Sequence, residues 1–526
     1  MSTSKALPLL RGDITLSAAL SRDDDVLHKL GLYPKRIDFY FHLYKHRSDI
    51  ETLVSFHLGL SLTDTCYISE VTNWIAGSFN VCIPVHVTYH TGKNRGRATR
   101  VLVRVPLPYK VGEEGNPGNA DEKLRCEAAT YLWMRQHCPE IRTAHLLAFG
   151  FSDGPCFTAL ENAPFFTRLT LRLRRMASLL SGRPIPCNYA RRPSPVALRI
   201  GYLIVEYIEG PQGKMLSSSW EEGRHDQKRR QNLFRDLSRI MLSLSRAPLP
   251  HIGSLTINNG GIINLTNRPL TLELEQLENE NIPTNIGRNT TYSTVDAYLL
   301  DLLDCHDSRL QNQRNALHGE EDGQNQIAAI VILRAMLSRF TTRDNRYGPF
   351  ILTLTDTHQS NIFVDSDWHI THLIDLEWAC SLPIEMLQPP HWLTGRGVDE
   401  LEKGEHLLAF AELYEEFMGV FEEEEELLCS RATAQRPPFH LSQTMRKGWR
   451  DGGFWYFKAI SSPSGLLSLF FEHIYPMAVD AGEYRRVLTP FWGQDSDKFI
   501  AAKLADKRQY DMDLRTAFEE SVDDKL

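Results

Sequence analysis

The stretch at residues 350–377, FILTLTDTHQSNIFVDSDWHITHLIDLE, constrains the fold of this chain more than any other segment. It contains two short runs rich in apolar and β-branched residues, 362–364 and 372–374, and a polar turn, 365–367, lies between them. Short alternating runs joined by a polar turn are typical of a β-hairpin. We therefore predict a hairpin here.

Three polar side chains flank the two strands of this hairpin. Asp356 precedes the first strand, Asn361 opens it, and Asp375 closes the second strand. Because a hairpin returns the chain on itself, we expect Asn361 and Asp375 to lie close together, with Asp356 facing the same cavity. An amide oxygen beside a carboxylate suits Mg²⁺, which takes few protein ligands and keeps its waters. The pattern therefore predicts a site for phosphoryl transfer, where catalysis is mostly positioning and charge neutralisation.

The motif LTDTHQSN at 354–361, followed by LIDLEW at 373–378, resembles the catalytic stretch of the aminoglycoside/choline-type phosphotransferases. These are small-molecule kinases with a protein-kinase-like fold, and their pattern is His-Gly-Asp, four residues, Asn, a hairpin and Ile-Asp. The chain resembles most the large fungal branch of these proteins, although Leu354 and Thr355 replace His-Gly. The resemblance implies ATP and Mg²⁺ as cofactors, Asp356 as the catalytic residue, and Asn361 and Asp375 as metal ligands.

Strand patterns with one glycine loop occupy residues 66–106 and resemble the nucleotide-binding sheet of a kinase N-lobe. The resemblance implies that the loop backbone covers the nucleotide phosphates, since glycine permits close approach and leaves N–H groups free. The residues concerned are Gly77, Ser78, Phe79 and Asn80. The alternative interpretation is a plain hairpin turn.

Arg104 stands where the family places the strand lysine that binds phosphates. Arginine keeps the positive charge but is bulkier and clamps oxygens in pairs. Glu127, inside the helical run 123–136, is the implied ion-pair partner of Arg104. The alternative is a surface arginine on an edge strand.

The segment YLIVEYIEG at 202–210 has the pattern of a buried strand that ends at a glycine. It resembles the hinge between the lobes of a kinase. The resemblance implies that backbone groups of Glu206, Tyr207 and Ile208 bind the edge of the adenine.

These patterns predict an α+β fold of the protein-kinase-like, two-lobed kind, with a small antiparallel sheet in the N-lobe and a larger, mainly helical C-lobe. The predicted units are a helical extension at 1–60, a nucleotide-binding lobe at 61–210 with a basic insertion at 162–200, and a helical lobe at 211–526 containing the catalytic hairpin 354–378. The acidic C-terminal segment 510–526 is expected to fray.

The basic insertion contains seven arginines between 168 and 192, and no acidic residue lies between 162 and 205. One interpretation is an amphipathic helix that binds anions or a membrane surface. The other is an insertion whose arginines pair with carboxylates elsewhere in the chain. The net charge of −8 favours the second interpretation.

The composition narrows the possible partners. The negative net charge argues against nucleic-acid binding. The nine cysteines contain no C-x-x-C pair, which argues against a disulfide framework or a zinc site. We see no signal peptide and no apolar run long enough to span a bilayer. We therefore expect a cytoplasmic protein whose partner is a small-molecule acceptor.

A second hypothesis is a catalytically impaired pseudokinase that binds nucleotides or other proteins. Arg104 in place of lysine, and Leu354-Thr355 in place of His-Gly, favour this hypothesis. Against it, the three groups that would touch metal and acceptor are intact.

Overall fold

The computed structural model describes residues 6–90, 95–401, 403–431, 440–462, 465–478 and 484–520. Its strands are β1 (Ala6–Pro8), β2 (Asp13–Thr15), β3 (Thr65–Ile68), β4 (Ile75–Ala76), β5 (Asn80–Thr88), β6 (Ala98–Pro106), β7 (Leu146–Gly150), β8 (Cys156–Ala159), β9 (Tyr189–Arg192), β10 (Tyr202–Glu206), β11 (Lys214–Met215), β12 (Ser254–Ile257), β13 (Ile263–Asn267), β14 (Phe350–Leu354), β15 (Ile362–Val364), β16 (Ile370–Leu373) and β17 (Ala379–Pro383). Its helices are α1 (Leu16–Leu20), α2 (Val26–Lys45), α3 (Arg47–Leu58), α4 (Asn119–His137), α5 (Phe165–Leu180), α6 (Trp220–Gly223), α7 (Gln227–Ser245), α8 (Leu272–Asn279), α9 (Val295–Asn312), α10 (Glu320–Phe340), α11 (Gly404–Arg431), α12 (Leu441–Asp451), α13 (Gly453–Ile460), α14 (Leu466–Leu469), α15 (Tyr475–Ala478), α16 (Tyr484–Trp492) and α17 (Ser496–Glu520).

The largest sheet has eight antiparallel strands in the order β3-β5-β6-β10-β7-β8-β9, with β4 paired to β5 as well. Strands β5 and β6 of this sheet pair along their whole length, with Ile83 opposite Val103 and Cys82 opposite Arg104. Successive side chains on a strand face opposite sides of the sheet. The valines and isoleucines of β5 and β6 therefore form one face, and Arg104 lies on the other.

The apolar face packs on the N-terminal helices. Val81, Ile83 and Val103 are fully buried in one cluster with Ile50 and Leu53 of α3. Burial of side chains of this size stabilises the fold by roughly 1.5–3 kcal/mol each. The opposite face of the sheet packs on α4. The side chain of Arg104 therefore contacts polar side chains of this helix in the interior.

Two short β-ribbons carry the segment at 350–377. β15 pairs with β16 and with β11, while β14 pairs with β17. The predicted hairpin is present, but its second strand is Ile370–Leu373 rather than 372–374. Trp368, with φ of +65°, closes the turn and stacks on Trp220 at 5.5 Å between ring centroids, which sets where the second strand starts.

The C-terminal helix α17 is part of the core, which contradicts the expected fraying for residues up to 520. Tyr510 and Leu514 are buried against the N-terminal segment that contains Val26. The hydroxyl of Tyr510 accepts a hydrogen bond from the backbone N–H of Val26 at 2.8 Å. The acidic pattern concealed an apolar side of the helix, and residues 521–526 lie outside the described residues.

The basic insertion forms α5 and β9. Within the described ranges, none of its seven arginines forms an ion pair with a carboxylate. Our prediction that they pair with acidic side chains is therefore wrong for the described chain. Arg175 instead donates to the carbonyl of Pro186, and Arg192 donates to the carbonyl of Phe56 at 3.2 Å.

The structure is a mixed helical and sheet protein with several small antiparallel sheets, as predicted. All nine cysteines are free. None of the helices in the described ranges combines the length and the apolar character that crossing a bilayer requires. The division into units at 1–60, 61–210 and 211–526 stays a prediction.

Candidate active site

Three predicted residues meet where the two β-ribbons end. Asp356 follows β14, Asn361 precedes β15, and Asp375 follows β16. The backbone N–H of Ile374 donates to the carbonyl of Asn361 at 3.0 Å, which joins the two ends of the hairpin. The side-chain Nδ2 of Asn361 donates to the backbone carbonyl of Asp356 at 2.9 Å. All three residues line one cavity of about 10 Å³, enough for roughly one water-sized group.

Asp375 has a left-handed backbone, with φ of +63°. This region is uncommon for residues other than glycine, and strained backbone of this kind clusters at functional sites. The ion pair between Asp375 and Arg104 helps to hold the residue in this conformation.

Asp375 belongs to a buried network of charged side chains. Arg104 on β6 contacts Glu127 of α4 at 3.2 Å between Nε and Oε1, and Glu377 at 2.6 Å, besides its ion pair with Asp375. Lys123, one helical turn before Glu127, forms an ion pair with Glu377. Three carboxylates and two cations thus meet in the interior, leaving one net negative charge when all five are ionised.

The predicted loop residue Asn80 belongs to the same network. Its Nδ2 donates to Glu377 at 2.7 Å, and its Oδ1 accepts from Lys123 at 2.6 Å. Asn80 therefore links the start of β5 to the segment that follows β16.

The network separates the pKa values of its carboxyl groups. Burial alone would raise the pKa of Glu377, but the charges of Lys123 and Arg104 override it and lower this pKa to about 2. Burial raises the pKa of Glu127 to about 7, against the attraction of Arg104. Burial likewise raises the pKa of Asp375. Glu377 is thus the carboxyl group of the network that stays ionised, and it forms ion pairs with both cations.

Asp356 differs from these groups because no cation is bonded to it in the described part of the chain. Burial raises the pKa of Asp356 to about 8, and the negative charges of Asp375 and Glu377 act in the same direction. His358 lies 4.0 Å from the Asp356 carboxylate, between Nε2 and Oδ1. A carboxyl group with a pKa near the working pH is suited to accept a proton during catalysis.

The raised pKa makes a prediction about stability. Between about pH 4 and pH 8 native Asp356 keeps a proton that the unfolded state gives up, so its contribution to stability is lost as the pH rises. Asp356→Asn cannot ionise and should remove this loss. We expect the midpoint of thermal unfolding of the variant to exceed that of the wild type by about 2 °C or more near pH 8, and the gap to close towards pH 5. If the midpoints of the wild type and of the variant changed in parallel with pH, Asp356 would have an ordinary pKa.

The donor set at the hairpin fits Mg²⁺. The side chain of Asn361 donates through Nδ2, and Asp375 binds Arg104 through Oδ1. The other oxygens of these two side chains, Asn361 Oδ1 and Asp375 Oδ2, accept no hydrogen bond from the described residues. Two oxygens on one small cavity, with waters completing the shell, match the preference of this ion. Oxygens of Glu127, Asp375 and Glu377 also lie within 4.8 Å of one another. Arg104 and Lys123 already form ion pairs with that second group, so we favour the pair at the hairpin.

The glycine loop adjoins the charge network through its last two residues, Phe79 and Asn80. The backbone N–H of Gly77 donates to the carbonyl of Asn80 at 2.8 Å, which closes a tight turn. Gly77 and Ser78 are exposed, whereas Phe79 is buried and meets the ring of Trp378 edge-on at 5.1 Å. Two residues of the loop therefore face solvent, and two face the segment 375–378.

The predicted hinge follows the end of β10. The backbone N–H of Glu206 already donates to the carbonyl of His145 at 2.9 Å. Within the described ranges, the N–H groups of Tyr207 and Ile208 donate to no other backbone group. The ring of Tyr207 lies under the guanidinium of Arg100 at 3.9 Å, and Ile208 is buried.

A larger cavity of about 200 Å³ adjoins the small one and shares Leu354, Thr355 and Thr357 with it. Its walls come from α7, α8, α9 and α13, from β14 and from residues 386–392. They are mainly apolar: Leu237, Met241, Leu274, Tyr298, Leu302 and Phe457. Sequence reasoning did not find this cavity, because its walls come from segments that lie far apart in the sequence.

Two charged side chains enter this apolar cavity. Burial lowers the pKa of Lys458 and raises the pKa of Glu273. The ammonium of Lys458 has no hydrogen bond or ion pair with any residue that the structure describes. Lys458 is half-buried and its side chain lines this apolar cavity, so it is a candidate contact for a ligand.

Sequence reasoning also missed Lys123. The signal that could have found it is its spacing of four residues from Glu127, which places both side chains on one face of a helix. From the sequence, Glu377 could be a further ligand or could face the acceptor, and the structure places it at the centre of the network.

Comparisons with known proteins add one finding. No family model matches the chain, and no curated protein matches it. Among solved structures, a Plasmodium vivax ethanolamine kinase is similar, with a TM-score of 0.33 and 14% identity over 86% of each chain. A score this low does not define a fold, so the proposals below rest on the motif and the geometry of the site.

Proposed function

We propose that this chain is an ATP- and Mg²⁺-dependent phosphotransferase with a two-lobed, protein-kinase-like fold, and that it phosphorylates a hydroxyl group of a small molecule. The observation that carries the proposal is the convergence of Asp356, Asn361 and Asp375 on one small cavity beside a larger apolar one. The order of these residues and their resemblance to the phosphotransferase motif support it.

Each residue of the site has a role in this proposal. Asn361 and Asp375 hold the metal ion through their free oxygens. Asp356 orients the hydroxyl of the acceptor and takes its proton as the oxygen attacks phosphorus. Arg104, fixed by Glu127, steadies the phosphates. Bound ATP would supply the transferred phosphoryl group, and Mg²⁺ would supply positive charge between its phosphates and the carboxylate of Asp375.

The nucleotide would lie between the glycine loop and the hinge. The backbone of Gly77, Ser78 and the following two residues would cover the phosphates. The N–H groups of Tyr207 and Ile208, together with backbone of Glu206, would meet the adenine edge. The N–H groups of Tyr207 and Ile208 donate to no other backbone group in the described ranges, so both are available to a bound base.

The larger cavity would bind the acceptor. Its apolar walls fit a molecule with a mainly apolar body, and Lys458 fits a carboxylate or another hydrogen-bond acceptor on it. The hydroxyl to be phosphorylated would lie near Thr355 and Thr357, next to Asp356. We place the enzyme in the cytoplasm as part of this proposal.

The experiment that tests the proposal is a screen for acceptors. The purified protein is incubated with Mg²⁺-ATP and hydroxylated compounds, and ADP release is measured against samples without acceptor. We expect acceptors with an apolar body and an acidic group to raise ADP release, and EDTA to abolish the increase. If no hydroxylated compound does so while nucleotide still binds, transfer to a small molecule is the wrong function.

One observation favours a second function, that of a nucleotide-binding pseudokinase. Arg104 already occupies Asp375 and Glu377, and so competes with a metal ion for the same carboxylates. Arg104→Lys restores the residue of the family and separates the two functions. Under the pseudokinase hypothesis this variant should gain phosphotransfer that the wild type lacks, whereas in an active enzyme both proteins should turn over.

A further inference from the structure

Helix α5 (Phe165–Leu180) presents a row of apolar side chains to solvent. Seven of the 21 large apolar side chains exposed in the described part of the chain lie on this helix. Leu171 is its one buried residue and packs against Leu160 and Ala190. The helix is thus attached by one side and leaves the other uncovered.

The exposed side chains follow helical spacing. Phe166 is 79% exposed, Leu173 is 58% exposed and Leu180 is 86% exposed. Together with Leu169 and Met176 they recur every three or four residues, which places them along one face. Single exposed apolar residues are ordinary, but a continuous row of this kind marks an interaction surface.

The charged side chains of the segment that contains this row are all positive. Seven arginines lie between 168 and 192, and the segment 162–205 contains no acidic residue, in a chain whose net charge is −8. By helical spacing, Arg172 and Arg174 lie to either side of the apolar row. The arginines of the insertion form no ion pair with carboxylates in the described ranges, so their charge is available to a partner.

We propose that α5 is a docking surface for a membrane that contains anionic lipids. Phe166, Leu173 and their neighbours in the row enter the boundary between headgroups and acyl chains, while Arg172 and Arg174 contact lipid phosphates. An amphipathic helix with an apolar face and flanking arginines is the arrangement that binds in the plane of such an interface. A second copy of this chain is a poor occupant, because the symmetric contact would bring the same arginines together.

Co-sedimentation of the full chain with vesicles tests this proposal. Vesicles of phosphatidylcholine alone are compared with vesicles containing roughly 30% phosphatidylserine. We expect the bound fraction on the anionic vesicles to exceed that on neutral ones by about tenfold, and to fall when salt is raised to about 0.5 M.

Two variants separate the apolar and charged contributions. The first double variant removes apolar side chains and is Phe166→Ser with Leu173→Ser. The second removes charge and is Arg172→Ala with Arg174→Ala. Each should reduce binding to anionic vesicles about fivefold or more. Both pairs are exposed, so the midpoint of thermal unfolding should not change. Phe491→Ser, at a side chain 77% exposed on α16, is the matched control and should bind as the wild type does.

Three outcomes of the vesicle experiment would overturn the proposal. They are the absence of binding to either vesicle, equal binding to neutral and anionic vesicles, and unchanged binding by both variants. Dimers in analytical ultracentrifugation that dissociate in Phe166→Ser with Leu173→Ser would also overturn it, in favour of contact between copies. The proposal does not depend on phosphotransfer, since none of these residues lies in the candidate active site.

Discussion

Asp356→Asn is expected to lower the rate of phosphotransfer about 10²- to 10⁴-fold while nucleotide binding is kept. Asparagine has nearly the same shape as aspartate but cannot take the proton of the acceptor hydroxyl. The side chain is not bonded to the charge network in the described chain, so its removal should leave Arg104 and Asp375 in place. The measurement is kcat with an acceptor from the screen, beside the thermal shift caused by Mg²⁺-ATP.

Asp367→Asn is the matched control for this experiment. Asp367 lies in the turn of the same hairpin, where its exposed carboxylate contacts Lys228 at 3.3 Å. Its replacement should leave kcat within about twofold, since exposed ion pairs contribute little. Wild-type kcat in Asp356→Asn would remove Asp356 from the catalytic role.

Lys123→Met is expected to destabilise the protein by about 3–5 kcal/mol, because breaking a buried ion pair leaves an uncompensated charge. Lys123 is fully buried and contacts both Glu377 and Asn80. Without it, the three buried carboxylates Glu127, Asp375 and Glu377 share Arg104 as their one remaining cation in the network. Denaturant unfolding measures the free energy of unfolding of both proteins.

Lys498→Met serves as the control for the loss of a lysine. Lys498 is 83% exposed and pairs with Asp495 on the surface. We expect its free energy of unfolding to differ from the wild type by less than about 0.5 kcal/mol. If the two variants were equally stable, the buried network would contribute nothing to folding.

The hairpin and its flanking polar residues could be predicted from the sequence, because they depend on local periodicity. A strand period of two, a polar turn and fixed spacing determine where Asn361 and Asp375 meet, and the structure joins them through Ile374. The central strands β5 and β6 follow from the same period. The start of β16 could not be predicted from the sequence. It depends on a tertiary contact, the packing of Trp368 on Trp220.

The charge network could not be predicted in full, because its members come from four separate segments. Arg104 and Glu127 were paired by resemblance, but the position of Asp375 and Glu377 beside them is a tertiary contact. The large cavity was missed for the same reason. The arginines of α5 were assigned to carboxylates on overall charge, which says nothing about what lies within reach of each side chain.

Thermal unfolding with and without Mg²⁺-ATP, on the wild type and on Asp375→Ala, tests the central proposal most directly. A ligand at about a hundred times its Kd adds roughly 2.7 kcal/mol to the stability of the native state, which is a readable shift in the midpoint. The proposal predicts a shift in the wild type that requires Mg²⁺ and is lost in Asp375→Ala. No shift with any nucleotide, or an equal shift in both proteins, would contradict a nucleotide and metal site at this hairpin.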